Sequence, residues 1–327
     1  MAEGDIIIMK RSELRRLHVI KKVLEGDITQ KEASKIIEVG KRQTIRIVKR
    51  VKQEGEKGII HRSRGKPSNR AYSDELKKQV IQLYREKYWD FGPTLASEKL
   101  LEIDKIKLSD ETLRKWLIES KDWQKRKKVK KHRKWRERKH YIGEMLQGDG
   151  SIHDWFEDRG ERSVLMGYID DADSKVFARF YEYEGTIPVM DLTKRYVKKY
   201  GIPASLYMDK HTTYKSTAKQ TIEQELRGEA PMSQFERAAK EMGIKFVHAH
   251  SPQAKGRIER LFKTFQDRVI KEMRLAGIKD IKGANKFLRS YLKKYNKRFC
   301  VEPRSKVDLH RGLAEDIEID RILCKKT

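Results

Sequence analysis

"EMLQGDGS", residues 144–151, is the stretch on which the fold reading turns. An apolar start, Met145-Leu146, runs into an acid, Asp149, with a glycine on each side. It reads as a strand that ends in a carboxylate, where the glycines let a ligand or another backbone come close. Downstream the same texture continues. "SVLMGYIDDA" (163–172) and "VFARFYEY" (176–183) read as strands joined by the turn-rich Asp170-Asp171-Ala172-Asp173-Ser174. Residues 187–200 carry a helical pattern, and "ASLYMD" (204–209) is a strand ending at a second acid, Asp209. Residues 232–242 read as a helix, "IKFVHA" (244–249) as a fifth strand, and 252–276 as a long helix opening at Ser251-Pro252. Three hairpin-like strands followed by alternating helices and strands make a three-layer α/β order.

Upstream of residue 140 the chain is helical and basic. Leu14, Leu17, Ile20, Val23 and Leu24 recur at helical spacing, and Thr29 to Glu32 form a capped start for a short helix carrying Ala33, Ile36 and Ile37. Gly40 supplies a turn into a third helix, 41–52, with Ile45, Val48 and Val51 expected inside. That is the helix-turn-helix order, and it would present Lys41, Arg42, Gln43, Thr44 and Arg46 to a major groove. "HRSRGKPSNR" (61–70) reads as an extended basic linker, with Arg62, Arg64, Lys66 and Arg70 placed to track phosphates. A second helix-turn-helix is expected over 73–120, its last helix capped by Ser109. Residues 121–140 then hold twelve Lys/Arg against two acids, with Lys125, Arg126 and Lys127 among them. The expected domains are 1–60, 73–120 and 141–276, with linkers at 61–72 and 121–140 and a C-terminal helical extension over 277–327.

The charge points the same way. Lys and Arg number 76 against 49 Asp and Glu, a net charge of +27, which favours a polyanionic partner, double-stranded DNA before a membrane. Two cysteines, Cys300 and Cys324, make neither a disulfide framework nor a zinc site. No apolar run approaches the roughly 18 residues of a membrane span, and Ile6-Ile7-Ile8-Met9 is too short for a signal-peptide core. The expectation is a cytoplasmic, nucleoid-associated protein without a membrane partner.

A third acid, Glu259, lies in the long helix among Lys255, Arg257, Arg260 and Lys263. If the first and fourth strands are neighbours, Asp149 and Asp209 converge and the helix brings Glu259 beside them. Three converging acids repel unless divalent cations occupy the gap, and hard oxygen donors select Mg²⁺ or Mn²⁺. The four surrounding cations then become candidates for phosphate binding. Asp170, Asp171 and Asp173 are read as turn acids that bond backbone, Asp154 with His153 and Trp155 as a pocket edge or a DNA contact, and Phe177 and Tyr181 as packing.

"LQGDGSIHDWFEDRG" (146–160), "GYIDDADS" (167–174), "LYMDKHTTY" (206–214), "FERAAKEMGIKFVHAHSPQAKGRIERLFKTFQDR" (235–268) and "FLRSYLKKYNKRFCVEP" (287–303) resemble a bacterial insertion-sequence transposase of the ISNCY type. That type belongs to the DDE superfamily with a retroviral-integrase-like core. The resemblance implies an RNase H-like fold, a five-stranded mixed sheet with flanking helices, behind two all-α helix-turn-helix domains. It implies Asp149, Asp209 and Glu259 as the metal-binding catalytic triad. The implied reaction nicks transposon ends at terminal inverted repeats and joins the freed 3′-hydroxyls to target DNA, in a homodimer or larger synaptic complex. It also implies a small β-rich domain beyond "EIDRILC" (318–324), where this sequence stops at Thr327. The rival readings are a sequence-specific repressor with an inactive core and an RNase H-like nuclease.

Overall fold

The computed structural model describes residues 7–65, 71–124, 136–209, 231–248, 256–313 and 318–326. The chain divides into two compact units, Met1–Leu83 and Tyr84–Thr327.

In the first unit α1 (Arg11–Glu25), α2 (Gln30–Ile36) and α3 (Lys41–Glu54) are followed by a 3-10 turn, Gly55–Ile59. Gly26 ends α1 at φ 91°, a left-handed position that suits glycine. The capping box at Thr29 forms as expected: the Thr29 N–H donates to the Glu32 carboxylate at 2.8 Å and the Glu32 N–H donates back to Thr29 Oγ1. The turn into α3 departs from the sequence reading. Its left-handed residue is Glu38 (φ 56°), while Gly40 holds an ordinary φ of −56°. The core collects Leu17, Val19, Ile20, Ala33, Ile37, Ile47, Val48, Val51 and Ile59. Ile45, expected inside, is instead exposed, as are Leu14, Leu24 and Ile36 from the helical apolar pattern. Among the described residues this unit has no strand.

In the second unit the helices α5 (Pro93–Glu102) and α6 (Asp110–Glu119) follow the helix α4 (Asp74–Lys87), within which the division of the chain falls. Ser109 caps α6, its Oγ accepting the Thr112 N–H at 3.1 Å. The sheet is built from β1 (Leu146–His153), β2 (Ser163–Asp170), β3 (Val176–Tyr181), β4 (Ser205–Met208) and β5 (Lys245–His248), in the order β3-β2-β1-β4-β5. The first three strands pair antiparallel, whereas β1, β4 and β5 pair parallel. β4 therefore lies beside β1, as the convergence of two acids requires.

Helices cover both faces, so β2 is buried at every position. On one face Val164, Met166 and Tyr168 meet α7 (Thr186–Tyr200) and α8 (Gln234–Glu241). On the other, Leu165 and Ile169 meet α9 (Gly256–Leu275) and α10 (Ile281–Phe299). Alternation along β2 assigns the two faces. Phe177 and Tyr181 pack on the first face, as expected.

The edge strand β3 is closed by side chains. Asn285 Oδ1 accepts the Phe180 N–H at 2.9 Å and its Nδ2 donates to the Phe180 carbonyl at 3.0 Å. Asn296 repeats both bonds with Val176, at 2.9 Å each. Backbone groups that would otherwise template another strand are thereby occupied.

Polar contacts join α5 to α9. Arg268 grips the Glu98 carboxylate through both Nη atoms, at 2.8 and 3.0 Å, and Arg298 adds a bond at 2.8 Å. Burial opposes ionisation of Glu98, but these two guanidiniums hold its carboxyl below the usual range. Lys99 sits between Glu272 at 2.6 Å and Glu102 at 2.7 Å, the Lys99 and Glu272 side chains being only 10% and 13% exposed. Removing one partner of such a pair leaves a buried charge uncompensated, whereas an apolar pair can replace both. Lys99→Met is therefore expected to cost about 3 kcal/mol in urea denaturation of the full chain, and Lys99→Met/Glu272→Met to recover most of it. A single variant as stable as the parent would show that the pair carries no stability.

Candidate active site and nucleic-acid face

The register of the sheet sets two of the sequence-predicted acids, Asp149 and Asp209, level along neighbouring strands. On β1, Gln147, Asp149 and Ser151 alternate with Leu146. Their partners on β2 are Ile169, Gly167 and Leu165. Because Ile169 and Leu165 pack with α9 and α10, Asp149 stands on that side of the sheet. Opposite it, Gly167 adds no bulk; a Cβ there would come within 3.2 Å of the Ala178 Cβ.

β4 pairs with β1 at Leu146↔Leu206 and Gln147↔Tyr207. Continued by two residues along each strand, that register sets Asp209, the residue after β4, level with Asp149 and on the same face. Neighbouring strands lie about 4.8 Å apart, so both carboxylates border one space.

α9 runs along this face. The Ile258 N–H donates to Gln147 Oε1 at 3.4 Å, and Gln266 Nε2 donates to Ser151 Oγ at 3.1 Å. From 258 to 266 the helix rises about 12 Å, close to the roughly 13 Å that β1 covers from 147 to 151. Glu259 follows Ile258, about 100° further round the helix, in the turn of α9 that is bonded to Gln147. All three acids are partly buried. Among the described residues, no three His, Cys, Asp or Glu side chains already form a metal-holding cluster. The donor set itself, oxygens on two strands and a helix, fits a hard divalent ion.

The three turn acids behave differently from one another. Asp170 accepts the Gly143 N–H at 2.7 Å and the Ala172 N–H at 2.8 Å; burial still pushes its carboxyl up to about 6. Asp173 accepts the Lys175 N–H at 2.7 Å. Those two fit the turn reading. Asp171 does not: it is fully buried and binds the side chains of Gln147, Arg136 and Arg257. Trp155, read as a pocket edge, is a core residue whose Nε1 donates to the Ser151 carbonyl at 2.9 Å. Asp154 is exposed. His248 lies on the opposite face, paired with Glu236 at 2.6 Å.

Of the cations expected near Glu259, Arg260 and Lys263 are exposed on α9. Arg257 instead points inward, with Nη1 at 2.7 Å from Asp171 Oδ1 and the side chain 15% exposed. Desolvation, with Arg136 and Arg138 nearby, pulls its pKa below the ordinary guanidinium value. Lys255, Lys66, Arg70, Lys125, Arg126 and Lys127 lie outside the described residues, as does most of the polar segment 214–231.

In the first unit α3 presents Lys41, Arg42, Gln43 and Arg46 to solvent, as expected. Thr44 is a correction: it has no exposure, and its hydroxyl lies 3.4 Å from the carbonyls of Val39 and Gly40. A cleft of about 340 Å³ is lined by Gln43, Arg46, Lys49, Arg50, Gln53 and Arg62. Lys49, Arg50 and Gln53 escaped the sequence reading, although helical spacing from Arg46 puts them on its face. Arg62 pairs with Glu54 at 2.7 Å, while Arg64 turns toward Glu13 at 2.9 Å. α6 carries no such basic face: its exposed positions include Asp110, Glu111 and Glu119.

No helix among the described residues is long and apolar enough to cross a membrane. Residues 16–78 match the winged helix-turn-helix family. Among solved structures the chain is similar to the HTLV-2 integrase catalytic core domain in complex with magnesium (trimeric form), with a TM-score of 0.37 and 14% identity over 51% of this chain and 94% of that one. It is 29% identical to the transposase for insertion sequence IS1202 of Streptococcus pneumoniae, covering 88% of this chain and 68% of the relative. It is 38% identical to the y4bF transposase of Sinorhizobium fredii, over 98% of this chain and 70% of that protein. That similarity runs through the basic α3 and the acid-bearing sheet alike, and the chain belongs to the transposase family that includes y4bF.

Proposed function

We propose that this transposase acts by DDE chemistry, with Asp149, Asp209 and Glu259 as its catalytic carboxylates, and that it belongs to the ISNCY group. The observation that carries the reading is the register of β1 and β4, with Asp149 and Asp209 level on the face along which α9 runs. When bound, two Mg²⁺ or Mn²⁺ ions supply activation of the attacking oxygen and stabilisation of the departing one in an in-line displacement. Asp149 and Asp209 offer oxygens from rigid neighbouring strands, and Glu259 offers them from α9. Arg260 and Lys263 bind the flanking phosphates and fix the scissile bond. In the first step water attacks the phosphodiester at a transposon end and releases a 3′-hydroxyl. In the second, that hydroxyl attacks a target phosphodiester and displaces its 3′-oxygen.

In this reading residues 1–60 recognise the terminal inverted repeats and 141–276 carry the chemistry. Two ends joined at one target need two active sites together, so the working form is a dimer or a larger assembly on paired ends, acting in the cytoplasm where the DNA lies. The test uses a supercoiled plasmid carrying the inverted repeats that flank the gene. Nicked ends and joined products are expected with Mg²⁺ or Mn²⁺ and are lost in a chelator. Binding with no cleavage would favour a repressor, and nicking with no joining would favour a nuclease.

A further inference from the structure

Gln147 occupies an unusual place for a polar side chain: near the start of the sheet's central strand, with no exposure. An amide buried there must be bonded or it destabilises the fold. Its two ends reach different elements. Nε2 donates to Asp171 Oδ1 at 2.7 Å, and Oε1 accepts the Ile258 N–H at 3.4 Å, a long bond at the first turn of α9.

Asp171, fully buried after β2, is the hub. Its Oδ1 also accepts from Arg257 Nη1 at 2.7 Å and from the Arg136 guanidinium, while Oδ2 accepts the Lys139 N–H at 2.9 Å. Arg257 adds a bond from Nη2 to the Arg136 carbonyl at 3.1 Å. A buried carboxylate flanked by two guanidiniums is costly to desolvate, so an apolar cluster would hold the fold as well. What an apolar cluster lacks is direction. These bonds fix both the level and the rotation of the start of α9 against β1.

The sequence positions give that fixity a use. Gln147 lies two residues before Asp149 on the same face of β1, and Arg257 and Ile258 directly precede Glu259. We propose that Gln147, Asp171 and Arg257 are positioning residues, a clamp that aligns Glu259 on α9 with Asp149 on β1. The proposal rests on the carboxylate reading above. It also reassigns Arg257 from phosphate contact to alignment, and kinetics separates those roles. A phosphate contact acts on the half-saturating concentration of DNA. An alignment residue acts on turnover and on cation affinity, because a displacement of about 1 Å costs on the order of 10²-fold in rate.

The experiment uses the full chain with Gln147→Met, Arg257→Ala and Arg257→Lys, checked for an unchanged melting transition. Mn²⁺ binding is followed by calorimetry and end cleavage by single-turnover kinetics. Gln147→Met and Arg257→Ala are expected to bind Mn²⁺ about 10-fold or more weakly, as when outer partners of metal ligands are removed. Both should cut about 10²-fold more slowly, with the half-saturating concentration of end DNA unchanged. Arg257→Lys keeps a cation on Asp171 and should recover part of the turnover. Either substitution decides alone if the other does not fold, and Arg257→Lys decides if neither does. Wild-type Mn²⁺ affinity and turnover in folded clamp variants would overturn the proposal. So would an Arg257→Ala protein that changes only the DNA concentration needed. Asp149→Asn and Glu259→Gln run beside them. If those two are inactive while the clamp variants are not, the clamp alone fails; if they cut normally, the carboxylate reading fails first.

Discussion

Glu259→Gln is expected to abolish strand cleavage by the 327-residue chain and to leave binding to end DNA within twofold of the parent. Asp149→Asn and Asp209→Asn should do the same. Each amide keeps the size of the side chain and removes one negative charge from the set that would hold the cations. Charge stabilisation of the transition state by bound metal amounts to several kcal/mol, so each loss should exceed about 10³-fold in rate. Residues that act as one unit are not additive. The double variant Asp149→Asn/Glu259→Gln should therefore be no slower than the slower single one. Single-turnover cleavage of labelled end DNA measures all four. Multiplying losses in the double variant, or a Glu259→Gln protein with full activity, would mean that these acids do not share one metal site.

Asp209 was legible because a strand end advertises itself: "LYMD" closes an apolar run with an acid. Asp149, read as the end of its strand, instead lies inside β1, which runs on to His153, and the adjacency of β1 and β4 sets it level with Asp209. Glu259 stood out as a lone acid among cations, but its place in a triad came from the resemblance, since nothing in a helix sequence says which strand it will lie along. That information sits in pairs such as Ile258 with Gln147 and Gln266 with Ser151, more than a hundred residues apart. Asp171 was hidden for the same reason. In "IDDADS" it is one of three turn acids, and its partners at 136, 147 and 257 come from three separate segments. Asn285 and Asn296 gave no signal either, because closing an edge strand depends on where α10 lands.

The face of α3 was misread for a different cause. Ile45, Ile47, Val48 and Val51 offer two overlapping apolar stripes, and the choice between them turns on Thr44. A threonine at the first turn looks like a surface residue, yet its hydroxyl lies by the carbonyls of Val39 and Gly40 and lets it enter the core. The stripe is then 44, 47, 48 and 51, which spans two turns at the spacing of a buried helix face. Ile45 is released to the surface, 41% exposed on the outward side of α3.

That rotation of α3 determines how salt should act on end recognition. With Thr44, Ile47, Val48 and Val51 turned inward, Lys41, Arg42, Arg46 and Lys49 are exposed, and Arg50 and Arg62 join the cleft. Each phosphate that such a cation neutralises releases a condensed counterion, so affinity falls as a power of salt concentration. Six or more contacts give a loss of about 10³-fold or more between roughly 50 and 200 mM salt. Binding of the full chain to end DNA should show that slope, and deleting residues 1–83 should remove most of the affinity. Single substitutions then separate charge from structure. Arg46→Ala and Lys49→Ala should each flatten the slope by about one unit without moving the thermal midpoint. Thr44→Arg should do the reverse, because a charged side chain has no place in the first unit's core and disrupts α3 before it can meet a phosphate. Fluorescence anisotropy across a salt series and a melting curve measure the two effects. A Thr44→Arg protein that melts like the parent and binds end DNA more tightly would return Thr44 to the DNA-facing side and overturn this orientation of α3.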